Sequence, residues 1–274
     1  MTIKVKKASF DIFGNIALVK FPREIKTKDK KRFADKLLRD NKSVTTVLEK
    51  IQKFKGRLRK QKTKYLLGIK TKEAIYRENN CVFRFNIDSV YFSPRLSNER
   101  KEIAQKIKKG DEVLVMFAGV APYPIVIAKN SRAGKVYSNE INKEANEYAE
   151  LNIGLNNIKE RVILLNGNIK DVANKIKRGF SIRGTSLPLK FDVIVMPRPQ
   201  LRDSFLREAF ILSKRGTRVF YYDFCKEKEI KDIVDRIKSE AKKYKKRIKI
   251  LKVKKAGEIA PYKYRIRIDF KIVS

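Results

Sequence analysis

The sequence predicts an α/β protein in which a doubly wound, mostly parallel sheet follows a smaller α+β domain. Residues 111–274 alternate short apolar strands with helical segments, which is typical of a parallel sheet. The first hundred residues contain strand-like pieces without that alternation. With 42% hydrophobic residues among 274, the chain can bury a core. We therefore expect an α+β domain over 1–94, a bridging helix over 95–110 and a second domain over 111–274.

In the smaller domain, strand character is found in short apolar segments around one or two helices. These segments are 10–21, 64–70, 81–87 and 89–93. No strand–helix–strand repeat is evident, so the pattern favours an α+β arrangement. A helix over 97–108 is expected to join this domain to the next.

In the larger domain, each strand ends at turn residues or at the start of a helix. The predicted strands are 111–117, 135–141, 161–165, 191–196, 217–224, 248–254 and 263–272. Apolar residues at helical spacing predict helices over 121–131, 143–155, 201–214 and 226–245. Five strands with interleaved helices and a final strand pair predict a parallel sheet with an antiparallel end.

The charge balance points to a polyanionic partner. Lys and Arg number 67 against 30 Asp and Glu, a formal net charge of +37. A chain this basic repels itself unless it binds a polyanion, so nucleic acid is the favoured partner. The densest basic stretches, 53–64 and 242–249, favour an RNA-binding face. A membrane surface is disfavoured, because no basic amphipathic helix with an aromatic face occurs and Trp is absent.

Several classes of chemistry are excluded by composition. The chain has no His, which removes histidine bases, histidine-dependent nucleophiles and His-containing zinc sites. Cys81 and Cys225 are far apart and form no CxxC pair, so no disulfide framework or metal-ligand cluster is expected. No apolar run reaches the ~20 residues of a membrane-spanning helix. We expect a reducing, cytoplasmic setting and a monomer without an obligate protein partner.

The strand ends of the larger domain carry a candidate cofactor site. In an open α/β sheet, ligands bind beyond the carboxyl ends of the strands, where the strand order reverses. The first strand ends in a tight turn with one glycine, Gly119, which is a poor cradle for pyrophosphate. Glu140 ends the second strand and could accept hydrogen bonds from ribose, and Asn168 follows the third and could contact adenine. Either residue alone could be an ordinary turn residue, but together they favour a nucleoside cofactor without pyrophosphate, S-adenosylmethionine.

Longer blocks of the chain resemble a known enzyme family. The blocks are VYFSPRLSNER (90–100), DEVLVMFAGVAPYPI (111–125), DVIVMPRPQLRDSFLREAF (192–210) and RVFYYDF (218–224). They resemble the archaeal and eukaryotic tRNA (guanine(37)-N(1))-methyltransferases, from about Phe10 to the end. The resemblance implies a Rossmann-like class I S-adenosylmethionine-dependent methyltransferase acting in tRNA processing on the anticodon stem-loop. Members often carry a further N-terminal domain that grips the tRNA elbow, and we expect a form without it.

The sequence departs from the family pattern at several cofactor-site positions. Val115 replaces an acid on the first strand, Ala121 a glycine, and Asn168 an acid after the third strand. The Asn-Leu-Pro signature reads Pro197–Arg198–Pro199 here, so only its proline remains. These changes affect how cofactor and base are held.

The resemblance also implies roles for individual residues. The cofactor-binding set is Arg100, Phe117, Ala118, Gly119, Val120, Glu140, Ile141, Asn168, Ile169, Met196 and Pro197. The substrate-binding set is Arg59, Lys60, Lys62, Arg95 and Pro199. The catalytic set is Glu99, Arg59 and Tyr91, and no metal is expected.

The catalytic assignments follow the chemistry of guanine N1. This nitrogen carries a proton at neutral pH, so its methylation needs a base, and the resemblance gives that role to Glu99. Arg59 would stabilise the charge that develops on O6. Tyr91 would stack on the base or hold the cofactor. Without the motif, Glu99 would be interpreted as an acid in the first turn of a helix.

Two alternatives remain open at this point. The first is a wyosine-pathway methyltransferase that acts also, or only, on the tricyclic guanosine-37 precursor, or a related aminocarboxypropyl transferase. The altered segment 197–199 would fit such a change. The second is a non-catalytic RNA-binding protein on a decayed methyltransferase scaffold. The departures at Val115 and Asn168 favour it, and the retained Glu99 and Glu140 oppose it.

Overall fold

A computed structural model describes residues 8–52, 56, 58–182, 184–197 and 203–274. The N-terminal part is a four-stranded sheet, in the order β1-β2-β3-β4, with one helix packed on it. Its elements are β1 (Ser9–Phe13), β2 (Ile16–Lys20), α1 (Thr27–Asp40), β3 (Thr46–Lys50) and β4 (Thr63–Gly68). β2 and β3 are parallel, while the other neighbours are antiparallel.

The expectation of no strand–helix–strand unit in this part was wrong, because β2, α1 and β3 form one. α1 was hard to see in the sequence because it is strongly charged and buries only Ala34 and Leu37 completely. β3 is short, and its role as a central strand depends on pairing with both β2 and β4.

A separate hairpin follows, formed by β5 (Glu73–Glu78) and β6 (Cys81–Asn86). The strand expected over 89–93 is absent, since residues 87–93 form a turn and an extended loop. Asn86 ends β6 by accepting a hydrogen bond from the backbone N–H of Asp88 (2.9 Å) on its side chain. The loop leads through a short 3₁₀ turn, Pro94–Leu96, into α2 (Ser97–Gln105).

Two asparagine side chains, Asn152 and Asn156, hydrogen-bond this hairpin to a helix that packs on the larger sheet. The side chain of Asn152 hydrogen-bonds the backbone N–H (2.7 Å) and carbonyl (3.2 Å) of Arg84. One turn later, Asn156 does the same to the N–H (2.9 Å) and carbonyl (2.7 Å) of Val82. The two side-chain amides therefore form, with the backbone of β6, the hydrogen bonds that a neighbouring strand would otherwise form. The predicted domain boundary at residue 94 stays a prediction.

The larger unit contains a seven-stranded sheet in the order β14-β15-β13-β12-β7-β8-β9. Its elements are β7 (Val113–Val115), α3 (Pro122–Asn130), β8 (Val136–Glu140), α4 (Lys143–Leu155), β9 (Val162–Asn166), α5 (Ile169–Lys177), β10 (Ser181–Ile182), β11 (Thr185–Ser186), β12 (Phe191–Met196), α6 (Leu206–Ile211), β13 (Ser213–Lys226), α7 (Ile230–Lys243), β14 (Ile248–Ala260) and β15 (Lys263–Ile272). In this sheet β15 is antiparallel to both of its neighbours, and the other neighbouring pairs are parallel. β10 and β11 form a separate antiparallel pair. The predicted doubly wound sheet with an antiparallel end is confirmed.

The core lies on both faces of this sheet. In β7, Val113 and Val115 pack into the layer with α2, α3 and α4. Leu114, and Met116 just after the strand, pack into the opposite layer with α5, α6 and α7. Burial on both faces explains why the strands read as continuous apolar runs. The strand order reverses between β7 and β12, which places a crevice at their carboxyl ends. In the part of the chain that the structure describes, no helix is long and apolar enough to cross a membrane.

Candidate active site

A cavity opens at the carboxyl ends of β7 and β8, where the loop before α2 meets the sheet. Its lining comes from the segment before β4, the loop 91–96, α2, the turn after β7, the end of β8 and the end of β12. These residues are Leu58, Arg59, Tyr91, Phe92, Ser93, Leu96, Arg100, Phe117, Ala118, Gly119, Pro122, Tyr123, Glu140, Asn142, Ala145 and Pro197. The cavity therefore lies at the position that the topology predicts for a ligand.

The turn after β7 is tight and left-handed at three alternate residues. Phe117, Gly119 and Ala121 have φ values of 56°, 59° and 63°. Glycine adopts this conformation freely, whereas Phe117 and Ala121 store strain that the surrounding packing must offset. A Cβ on Gly119 would lie 3.4 Å from the carbonyl oxygen of Tyr91, an ordinary contact distance, so the left-handed φ is what favours glycine here.

Glu140 links this turn to the end of β8. Its carboxylate accepts hydrogen bonds from the backbone N–H groups of Gly119 (2.8 Å), Ile141 (2.9 Å) and Asn142 (2.8 Å). Asn142 also donates to the carbonyl of Ser89 (3.1 Å), which ties the loop before α2 to the same corner. A carboxylate has about four acceptor positions, so Glu140 can also accept from a ribose hydroxyl.

Arg59 and Tyr91 form the second wall of the cavity. The Arg59 guanidinium lies 3.7 Å from the centre of the Tyr91 ring, in a stacked, cation–π arrangement. Burial lowers the pKa of Arg59, the Tyr91 phenol opposes that shift, and the nearby charge of Arg265 lowers the pKa further. Arg59 also has φ = 53°, so its backbone is held in a strained conformation.

Arg100 lines the cavity but directs its hydrogen bonds into the protein. Its guanidinium forms a two-point, fully buried ion pair with Glu78 of the hairpin. It also donates to the carbonyl oxygen of Ser93 (3.0 Å). Arg100 therefore supports the loop that carries Tyr91, and its predicted cofactor contact stays a prediction.

Glu99 lies behind the cavity wall and does not line the cavity. It is buried, with one carboxylate oxygen bound by Lys254 of β14 and the other by Arg267 of β15 (2.6 Å). The same two cations bind Glu102, and Arg267 also pairs with Asp269 (2.7 Å). The predicted base is thus part of a buried ion cluster that joins α2 to the antiparallel strands.

Two tyrosines connect Glu99 to the cavity. Tyr123, in the cavity lining, donates a hydrogen bond to the Tyr222 hydroxyl (3.2 Å), which donates to Glu99 (3.0 Å). Burial raises the pKa of Tyr123 to about 12 and that of Tyr222 well above its usual value, so both hydroxyls are protonated at neutral pH. The sequence analysis missed both tyrosines, although each lies inside a motif block, because 99 residues separate them.

The remaining predicted cofactor residues are divided between the cavity and the core. Phe117, Ala118, Gly119, Glu140 and Pro197 line the cavity together with Arg100. Val120, Ile169 and Met196 are buried in the core, and Ile141 is half-buried beside Glu140. Asn168 caps α5 by accepting a hydrogen bond from the backbone N–H of Lys170 (3.3 Å).

The other predicted substrate residues lie outside the cavity lining. Arg95 forms an exposed ion pair with Asp11 (2.7 Å), and Lys60 lies 3.6 Å from Glu144. Lys62 is exposed. Pro199 lies outside the described residues. Across the described ranges there is no group of three or more Cys, Asp or Glu side chains arranged to hold a metal ion.

A doubly wound sheet whose switch point brings an acid and a glycine together is the architecture of nucleotide- and nucleoside-binding α/β proteins. The chain belongs to the TRM5/TYW2 methyltransferase family, whose methyltransferase domain matches residues 74–251. Residues 3–71 match the TYW2 N-terminal domain.

Relatives agree with this assignment. The chain is 34% identical to the tRNA (guanine(37)-N(1))/4-demethylwyosine(37)-methyltransferase Taw22 of Nanoarchaeum equitans, over 97% of this chain and 100% of that protein. The crystal structure of Trm5b from Pyrococcus abyssi superimposes with a TM-score of 0.83 at 31% identity, over 97% of this chain and 75% of that one. The structure of aTrm5 in complex with tRNALeu superimposes with a TM-score of 0.80 at 27% identity, over 96% and 72% of the two chains.

Proposed function

We propose that this protein transfers a methyl group from S-adenosylmethionine to N1 of guanosine at position 37 of tRNA, as a cytoplasmic monomer. The observation that carries the proposal is the cavity itself, which combines the Gly119–Glu140 corner with the stacked Arg59–Tyr91 pair in a TRM5/TYW2 chain. Its relatives include a guanine-37 methyltransferase and a protein solved with tRNA. The net charge of +37 supports a nucleic acid substrate.

The residues present fit this cofactor. Glu140 would bind ribose hydroxyls, Gly119 has no side chain to cover its backbone, and Phe117 and Ala118 supply apolar walls. When bound, S-adenosylmethionine supplies a methyl group on a positively charged sulfur. The absence of a second glycine at Ala121 agrees with a ligand that has no pyrophosphate.

Residues of the protein would accept the proton of guanine N1 and stabilise the negative charge that develops on O6. The N1–H proton would pass to the Tyr123 hydroxyl, whose proton passes to Tyr222, whose proton passes to Glu99. Both hydrogen bonds already run in that direction. The freed N1 electron pair would accept the methyl group that bound S-adenosylmethionine supplies, and the electron pair of the broken S–CH₃ bond would remain on sulfur. Arg59 would stabilise the charge on O6, in a wall that Tyr91 holds rigid.

A second candidate substrate is the 4-demethylwyosine precursor at the same position. The relative from Nanoarchaeum equitans, matched over its full length, carries both activities in its name. In this chain, Pro197 lines the cavity where the family pattern has asparagine, so the base-contacting wall is altered. A protein that methylated both guanosine and the 4-demethylwyosine precursor would bind the cofactor at the same Gly119–Glu140 corner for both reactions.

The test is methyl transfer from labelled S-adenosylmethionine to tRNA transcripts with guanosine or adenosine at position 37, followed by nucleoside analysis. We expect 1-methylguanosine only from the guanosine transcript. A tRNA that carries 4-demethylwyosine would test the second candidate in parallel. No label in any arm, without cofactor binding in calorimetry, would instead support the decayed scaffold.

Glu99→Gln should lower kcat by about 10²-fold or more if Glu99 receives the proton. Glu102→Gln is a matched control, because Glu102 binds the same Lys254 and Arg267 but has no contact with Tyr222. Equal losses in the two variants would show that the ion cluster matters only for structure, and would remove Glu99 from the reaction.

A further inference from the structure

Three strands of the larger sheet, β13, β15 and β14, extend beyond the carboxyl end of β12. Met196, the last residue of β12, lies opposite Tyr221 of β13. From there β13 continues to Lys226, which pairs with Lys263 at the start of β15. At about 3.3 Å per residue, the segment from 221 to 226 carries the hairpin of β14 and β15 about 16 Å further. Pro197 follows Met196 and lines the cavity, so this hairpin tip projects from the edge of the sheet where the cavity opens.

The tip of the hairpin is a strained turn with an exposed aromatic residue. Pro261 and Tyr262 form the turn, since Ala260 and Lys263 are the last strand pair. Tyr262 has φ = 58°, in the left-handed region that turns normally fill with glycine or asparagine. Its side chain is 78% exposed, so little packing offsets the strain. A tyrosine here lowers the stability of the free protein, which points to a role in binding a partner.

The strands beside this turn carry positive charge. Lys226 and Lys263 lie directly opposite each other on β13 and β15. Like charges in such a cross-strand pair destabilise the free protein. An anion between the two side chains would remove their repulsion. The end of the hairpin that exposes an aromatic ring therefore also favours a negatively charged partner.

We propose that Tyr262 stacks on an unpaired base of the bound RNA, outside the cavity, while Lys226 and Lys263 contact the adjoining backbone phosphate. The inference rests on the proposed function for the identity of that RNA. An aromatic ring combined with basic side chains is the usual means of binding single-stranded nucleic acid, because the ring stacks on a base and the cations follow the backbone. The loop of an anticodon stem-loop presents such unpaired bases, whereas its stem does not. A second copy of this chain is disfavoured at the tip, since two chains of net charge +37 repel each other.

A fluorescent variant tests the contact directly. The chain has no Trp, so Tyr262→Trp places a single tryptophan at the hairpin tip. Binding of an RNA hairpin with an anticodon stem-loop sequence should quench its fluorescence, because the indole stacks on a base. A fully paired RNA duplex of the same length should leave the fluorescence nearly unchanged. Leu189→Trp is the matched control: Leu189 is 52% exposed and precedes β12, at the opposite edge of the sheet, so its fluorescence should respond to neither RNA.

Affinity and stability measurements separate stacking from charge and from structure. Tyr262→Gly should weaken binding of the RNA hairpin about tenfold, and Tyr262→Phe should retain wild-type affinity because the ring remains. Tyr262→Gly should leave the slope of log affinity against log salt unchanged, whereas Lys263→Gln should make it shallower by about 0.7. The unfolding temperature of Tyr262→Gly should not fall, because glycine adopts a positive φ freely.

Three results would overturn the proposal: wild-type affinity in Tyr262→Gly, equal quenching of Tyr262→Trp by the hairpin and the duplex, or no binding of either RNA by the wild-type protein. A loss of affinity in Tyr262→Gly that is accompanied by a lower unfolding temperature would likewise indicate a structural role and refute stacking. These binding measurements need neither cofactor nor methyl transfer. A protein that bound the RNA hairpin through Tyr262 but methylated no guanosine would therefore refute the proposed function and leave this inference standing.

Discussion

At the scale of single residues, the proposed role of Glu99 as proton acceptor raises the question of how a buried carboxylate could receive a proton from the cavity. Glu99 does not line the cavity, and the Tyr222 hydroxyl joins it to Tyr123, which does. Protonated hydroxyls can pass a proton onward without ionising, because each accepts one proton and releases another. The geometry thus offers a route that the sequence motif alone did not indicate.

Tyr222→Phe should lower kcat by about 10-fold or more and leave the KM for tRNA unchanged, because it removes the only hydroxyl between Tyr123 and Glu99 among the described contacts. Single-turnover methyl transfer gives the measurement. Tyr221→Phe is the control, since Tyr221 faces the opposite layer and its hydroxyl contacts Asp223. A Tyr222→Phe enzyme at the wild-type rate would mean that the bound RNA reaches Glu99 directly.

The positions of individual site residues could be predicted from the sequence where those residues lie at the end of a strand. Glu140 and Gly119 were placed correctly at one corner, because the ends of β8 and β7 must meet in a parallel sheet. Asn168 caps α5 through its side-chain oxygen, and its predicted cofactor contact stays a prediction. The pairing of Glu99 with Arg267 joins residues 168 apart, and no local pattern encodes such a contact.

At the scale of elements, the ion cluster couples α2 to β14 and β15. Glu102 contributes to it through hydrogen bonds from Arg267, which lower its pKa to about 2 against burial, with further help from Lys254. The ordinary value is 4.5, so the folded state favours the ionised carboxylate. The stabilisation is complete above about pH 4.5 and is lost as the pH falls toward 2.

Glu102→Gln should therefore lower the free energy of unfolding at pH 7 by about 1 kcal/mol, a value reduced for the partial exposure of this side chain. The difference from wild type should shrink between pH 5 and pH 2, because acid neutralises the wild-type carboxylate as well. Urea unfolding at stepwise pH checks this, with the exposed Glu147→Gln on α4 as control. A difference that stays constant with pH would mean that the ion pairs contribute no net stability.

Elements were predictable where their periodicity is strong. The bounds of α4 and β12 agree with the predicted 143–155 and 191–196 because their apolar patterns end at clear turn signals. In contrast, α1 and β3 depend on the surrounding sheet for their stability, and the parallel pairing of β2 with β3 is a tertiary contact. Tertiary packing of this kind overrides local propensity.

At the scale of the whole molecule, the net charge of +37 has opposite effects on the free and the bound protein. In the free state, like charges repel across the surface and oppose compaction. In the complex, the same charges displace counterions from the RNA backbone, which favours binding. Salt screens both interactions, so it should stabilise the free fold and weaken the complex.

Raising the salt concentration from 50 to 200 mM should weaken tRNA binding on the order of 10²- to 10³-fold, the range expected for about six phosphate contacts to a partly single-stranded RNA. Over the same range the unfolding temperature of the free protein should rise, because the Debye length shortens to below about 10 Å. Filter binding and scanning calorimetry provide the two measurements. Affinity for S-adenosylmethionine serves as the internal control, because its proposed site around Glu140 is not the RNA backbone. Less than a threefold change in tRNA affinity would mean that the excess charge faces solvent and not the RNA.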